Sequence, residues 1–283
     1  MSLRKLPEAR TFPRPQNYQW DTPSGVLTKW AEHPLAAVPG ADGDTTISMF
    51  DVIGEDGWSG GGVTASRISA ALRSIGNKEI TVRINSPGGD MFEGIAIYNL
   101  LRAHPAKVTV EVLGWAASAA SVIAMAGDEI RMGLGSFMMV HNAWGVVIGN
   151  RHDMRDAATL FDQFDAAIAD IYAARTRMKR ADIEQLMDAE TFMTAAQAVE
   201  NGFADAINDA EIHPETNASA QVRPEIHAKR RIDAALAQQG ITRSERRKML
   251  NQIAGMHDAA DTATHDAGFH AAAIQRLIDT IRS

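Results

Sequence analysis

No cysteine occurs among the 283 residues. Disulfide bonds, thiolate metal ligands and a cysteine nucleophile are all excluded by that absence. Positive charge is in deficit: 28 Lys and Arg stand against 35 Asp and Glu, a formal net charge of −7. That balance argues against nucleic acid or an anionic membrane as the main partner. No run of about 18 apolar residues exists to cross a bilayer, and the opening MSLRKLPEARTFPRPQ holds no apolar signal core. The expected location is therefore the cytoplasm. Nine histidines are present, yet no two have the spacing of an HExxH metal site, so neither metal nor cofactor is expected. Lysine is scarce as well: between Ser118 and Asp209 only Lys179 occurs, inside the polar run Arg175–Arg180.

What is present divides into three regions. Residues 1–44 carry six of the ten prolines and no sustained periodicity, the composition of an extended arm. Residues 45–208 alternate between strand and helix patterns. Ile47–Ile53 is a short apolar run. Val63, Ile68, Ala71, Leu72 and Ile75 fall at helical spacing, and Ile80, Val82 and Ile84 alternate as a strand. Phe92–Leu101 is a second helix, and Val108, Val110 and Val112 a third strand. Glu129–Met132 and Phe137–His141 follow, then a long helix from about Asp153 to Met178. This order predicts an α/β domain with a mainly parallel sheet. Residues 209–283 form a polar linker and weak amphipathic helices, with ten basic and ten acidic residues. They read either as an assembly appendage or as a helical cap on the main domain. The basic run Ser244–Lys248 reads as a solvated helix face or as a tether to a larger assembly, the former preferred.

Chemistry can be sought at a few places. Gly114–Ser121, GWAASAAS, follows a strand directly and opens a helix of small residues. A serine at such a junction sits where free N–H groups and the helix dipole favour developing negative charge; tight packing of small residues explains the same pattern. Ile84–Asp90, INSPGGD, is a turn whose glycines can aim backbone N–H groups outward, or simply a strand-to-helix turn. His141 alone among the histidines ends an apolar strand, which suits either a core histidine or a base. The other eight read as surface residues. Asp188 and Glu190 lie just before Thr194-Ala195-Ala196-Gln197, a capping box, and either carboxylate is placed to orient a base.

Taken together and in order, these motifs resemble the Clp-type (ClpP) serine peptidases over residues 45–208. Ile84 and Ser118 stand 34 positions apart, as in that family, and the segment Phe192–Asp205 is similar to the one after the family's catalytic acid. The resemblance implies a ClpP/crotonase-like α/β fold of repeated ββα units and a peptide hydrolase. It implies Ser118 as nucleophile, His141 as general base, and the N–H groups of Gly89 and Ala119 as oxyanion donors. Glu190 stands where the family usually has aspartate, with Asp188 as the alternative acid. The helix at 153–178 is similar to the family's handle, so a homo-oligomeric ring is expected. The extensions are similar to those of ClpP-related head maturation peptidases of tailed phages. Capsid, scaffold or portal protein is then the implied substrate, and the procapsid a second location. The crotonase group shares the fold but needs no serine–histidine pair. A serine–lysine dyad has only Lys179 to draw on. A procapsid component of weak activity, or a housekeeping peptidase, is the alternative.

Overall fold

Alternation of Ile80, Val82 and Ile84, and of Val108, Val110 and Val112, gives each strand one buried apolar set. The register Ile80–Val108, Val82–Val110 and Ile84–Val112 puts both sets on the same face of the sheet. In the computed structural model these runs are the central strands of a seven-stranded sheet. The structure describes residues 45–55 and 62–208, with a few positions at 6, 9, 18–19 and between 232 and 250. Most of the arm at 1–44 and of the tail at 209–283 lies outside the described residues.

In chain order the elements are β1 (Tyr18–Gln19), β2 (Thr46–Met49), α1 (Ala65–Ile75), β3 (Ile80–Ser86), α2 (Met91–Arg102), β4 (Val108–Ala117) and α3 (Ala119–Ala124). There follow β5 (Glu129–Gly133), β6 (Phe137–Val140), β7 (Val146–Val147), α4 (Arg151–Thr176), α5 (Arg180–Asp188), β8 (Thr191–Thr194), α6 (Ala195–Glu200) and β9 (Ala206–Asn208). The main sheet has the order β2-β3-β4-β5-β9, all parallel, with β6 branching from β4 and β8 pairing with β6.

The length of β4 decides where the site falls. Its first half pairs with β5, from Thr109 opposite Glu129 to Val112 opposite Met132. Its second half leaves β5 and pairs with β6, from Trp115 opposite Phe137 to Ala117 opposite Met139. A register shift against β3 between Ile84 and Ser86 marks the departure. β8 then runs antiparallel to β6, with Val140 opposite Thr191. Three chain segments thus end side by side: Ala117, Val140 and Thr191.

Helix boundaries follow the capping residues. Thr64 caps α1 by accepting from the Arg67 N–H, and Asp90 caps α2 by accepting from Phe92 and Glu93. Asn150 and Asp153 form a capping box on α4, and Thr194 and Gln197 the expected one on α6. The 26 residues of α4 bury Phe164, Ile168, Ile171 and Tyr172. Phe164 meets Phe92 of α2 edge-on at 5.1 Å, and Tyr172 meets Phe203 at 5.4 Å. Each such buried ring contributes about 1.5–3 kcal/mol by leaving water.

Three expectations need correction. Val63 is not helical; it pairs with Ile53 ahead of α1, because Thr64 caps the helix one residue later. His104 is buried rather than on the surface, its Nε2 bonded to the Lys78 carbonyl at 2.7 Å. A ring whose polar edge reaches a backbone carbonyl is satisfied without water. In the tail, Arg246 is not solvated: it is buried against Asp233 (2.8 Å) and the Ile241 carbonyl (2.7 Å).

Candidate active site

β4 is forced to end at Ser118 by that residue's own backbone, φ 56 and ψ −125. A positive φ in a non-glycine residue costs about 1–3 kcal/mol and persists only where the surroundings impose it. Here both sides are held. The Ser118 N–H donates to the Met139 carbonyl at 2.9 Å, and its carbonyl accepts from the N–H groups of Ser121 (2.9 Å) and Val122 (3.3 Å). Although Ser118 occupies the cap position of α3, its side chain makes no capping bond. The hydroxyl is turned instead to His141, with Oγ to Nε2 at 2.6 Å.

His141 is the first residue beyond β6, and the β4–β6 register brings it there. Both partners are nearly sealed, Ser118 at 4% and His141 at 5% exposure. Burial lowers the pKa of His141 below the ordinary histidine value, while the charge of Glu190 pulls it partly back up. The resting imidazole is therefore neutral near pH 7 and able to accept a proton from Oγ.

The INSPGGD turn packs against this junction. A Cβ on Gly88, whose φ is 91, would stand 2.5 Å from the Ala117 carbonyl oxygen, 2.6 Å from Ser118 Cβ and 3.1 Å from the Ala119 nitrogen. On Gly89 it would stand 1.9 Å from the Ile53 carbonyl oxygen. Only glycine fits at either position. Ile53 donates to the Gly88 carbonyl (2.9 Å) and accepts from Asp90 N–H (2.8 Å), which leaves the Gly89 N–H facing away from that bridge. Among the described residues no acceptor engages the N–H of Gly89 or of Ala119. Asn85 and Ser86 brace the turn: Asn85 Oδ1 accepts from Trp115 N–H at 3.0 Å, and Ser86 Oγ donates to the Asp51 carbonyl at 2.6 Å.

The two candidate acids stand apart from this contact. Glu190 is exposed, has φ 47, and directly precedes β8. Its charge reaches His141, but among the described residues no hydrogen bond joins either Glu190 or Asp188 to the imidazole. Asp188 accepts from Asn142 Nδ2 at 2.8 Å. Asp165 on α4 accepts from Ala143 N–H at 2.6 Å. With Asp188 it holds the two residues after His141. Nothing in the helical pattern of 153–178 marks Asp165, since that contact is made across the fold.

Residues 64–211 match the Clp protease family, a span that holds Gly88, Gly89, Ser118, Ala119, His141 and Glu190. The ATP-dependent Clp protease proteolytic subunit of Deinococcus radiodurans is 33% identical over 134 residues. That alignment covers 47% of this chain and 66% of the relative, just under two thirds of its length. Among solved structures, a point mutant of ClpP1 from Listeria monocytogenes superposes with a TM-score of 0.51 at 22% identity. The match covers 59% of this chain and 93% of that one, a likeness in fold. The chain belongs to the Clp protease family.

Proposed function

We propose that this chain is a serine endopeptidase in which Ser118 is the nucleophile and His141 its general base. The observation that carries the reading is the 2.6 Å contact between Ser118 Oγ and a neutral, buried His141 Nε2. In the mechanism, Oγ attacks the substrate carbonyl carbon as Nε2 takes the hydroxyl proton. The oxygen that becomes negative is met by the N–H groups of Gly89 and Ala119. Donors of this kind are worth about 10²–10³ in rate. The imidazolium then protonates the leaving amine and the C–N bond breaks. Water, deprotonated by His141, hydrolyses the Ser118 ester and restores the enzyme. Glu190 stabilises the imidazolium through its charge. The substrate chain lies extended beside a strand edge, held by main-chain hydrogen bonds.

The substrates we assign are the capsid, scaffold or portal proteins of an assembling phage head, and the working form is a ring of identical subunits. A proline-rich arm before the family domain and a polar tail after it favour this over a housekeeping role, and α4, with Met154 exposed near its start, supports the assembly. A second reading, a procapsid component of weak activity, is favoured by one observation: no carboxylate bonds the imidazole among the described residues.

A fluorophosphonate probe separates the two. The wild type is expected to be labelled and Ser118→Ala not, with turnover reduced on the order of 10⁶. Labelling that persists in the alanine variant overturns the assignment, and an unlabelled wild type favours the weak component. Co-expression with capsid and scaffold proteins is expected to yield cut products. Uncut proteins beside an enzyme that takes the probe overturn the head-maturation role alone.

A further inference from the structure

Behind the nucleophile lies a polar pair that the mechanism above does not use. Ser121 and Tyr172 are 0% and 1% exposed, surrounded by the apolar core. Ser121 Oγ is 2.6 Å from the Ser118 carbonyl oxygen, and Tyr172 Oη is 2.7 Å from Ser121 Oγ. The direction of donation follows from chemistry. A carbonyl can only accept, so the single Ser121 hydroxyl proton goes to Ser118 O. Tyr172 must then be the donor to Ser121. Burial raises the Tyr172 phenol pKa, so that proton stays in place across the working pH range.

We propose that Ser121 and Tyr172 are positioning residues that aim the Ala119 N–H at the oxyanion; this inference rests on the peptidase reading. The peptide unit joining Ser118 to Ala119 is planar, with its C=O and N–H pointing in opposite directions. Whatever holds the Ser118 oxygen therefore also sets the direction of the Ala119 N–H. The two backbone donors on that oxygen come from the first turn of α3, which has only six residues and moves with Ser118. Ser121 Oγ–H adds a third donor, and through Tyr172 it anchors the peptide to a different element, α4. That helix is itself fixed one turn later, where buried Arg175 pairs with Asp205. A strained residue needs such an external anchor to keep one conformation through acylation and deacylation. Donation from Tyr172 also polarises the Ser121 hydroxyl and strengthens its bond to the carbonyl.

Ser121→Ala and Tyr172→Phe each remove one oxygen atom and little volume. Peptide turnover and inhibition by a peptide boronic acid, whose tetrahedral adduct places an oxygen at the oxyanion position, are measured for both and for the double variant. Ser121→Ala is expected to lower kcat about 10- to 100-fold, less than loss of a whole oxyanion donor, with KM unchanged. Boronate affinity falls by the same factor. Tyr172→Phe has a smaller effect in the same sense, and the double variant matches Ser121→Ala, because Tyr172 acts through Ser121. Lower melting temperatures with kcat and boronate affinity unchanged in both single variants would overturn the inference, as would additive losses in the double variant. If Tyr172→Phe does not fold, Ser121→Ala alone decides. These outcomes leave the peptidase reading standing, whereas a wild type that the fluorophosphonate probe does not label overturns that reading and this inference with it.

Discussion

His141 works with one nitrogen on Ser118 and is governed by two opposing influences, burial lowering its pKa and Glu190 raising it. In the proposed mechanism His141 is the base and must be neutral, so activity is expected to rise with pH as the imidazole loses its proton. Burial dominates, which places this acid limb below the ordinary histidine value of about 6.5. Replacing Glu190 by Gln removes the raising charge. The acid limb of kcat/KM is then expected to move to still lower pH. The plateau falls by much less than the about 10⁴ lost where the acid is hydrogen-bonded to the imidazole, because Glu190 acts through its charge alone. Asp188→Asn is expected to leave the limb in place, since that carboxylate is bonded to Asn142. The pH–rate profiles of the wild type and the two variants check this, and a limb displaced by the Asp188 change instead would reverse the assignment.

Between elements, the loop after β6 is held from two helices, by Asp188 at the end of α5 and by Asp165 on α4. Asp165 pays for its place: burial, aided by Asp162 and Asp188 and opposed by the Ala143 N–H, pushes its pKa up to about 6. A carboxyl raised in the fold favours folding fully only below its unfolded value, about 3.9. That contribution fades as pH rises through 6. Asp165→Asn keeps an oxygen for Ala143 N–H and removes the charge. Its melting temperature is therefore expected to exceed that of the wild type at pH 8 by a few degrees, corresponding to about 1 kcal/mol, and to equal it at pH 4. Thermal unfolding at the two pH values measures the difference, and an equal gain at both would mean the charge is not the cause.

At the scale of the molecule, an ion pair buried on its arginine side joins the long helix to the strand ends of the sheet. Arg175, buried at the end of α4, meets Asp205, which also accepts from Ile130 N–H at 2.7 Å at the head of β5 and β9. Leaving a buried guanidinium without its carboxylate costs about 3–5 kcal/mol. Asp205 is partly open to solvent, so Asp205→Asn is expected to cost nearer the lower figure, about 3 kcal/mol. Denaturant unfolding reads it directly. Because Tyr172 sits one turn before Arg175, the same substitution is expected to reduce turnover ahead of any loss of fold, measured well below the melting temperature.

Much of this was legible in the residues themselves. The parallel α/β order could be read from period-two runs such as Val108–Val112 and from helical spacing in Ile68–Ile75, because a buried strand and a packed helix impose those periods. INSPGGD and GWAAS announced a turn needing two glycines and a serine at a helix start, since such backbone geometry admits few side chains. Other features arise only where distant segments meet. That β4 leaves β5 for β6 is a matter of register, and it is this that sets His141 against Ser118. His104 and Arg246 look like surface residues from their neighbours, yet find carbonyl or carboxylate partners inside the fold. Asp165, Ser121 and Tyr172 carry no local signal, because a hydrogen bond made across 22 or 51 positions leaves no periodicity to read. Local sequence therefore determined the elements and the candidate side chains of the site, while the tertiary structure decided which of them face one another and, through burial, in which protonation state they stand.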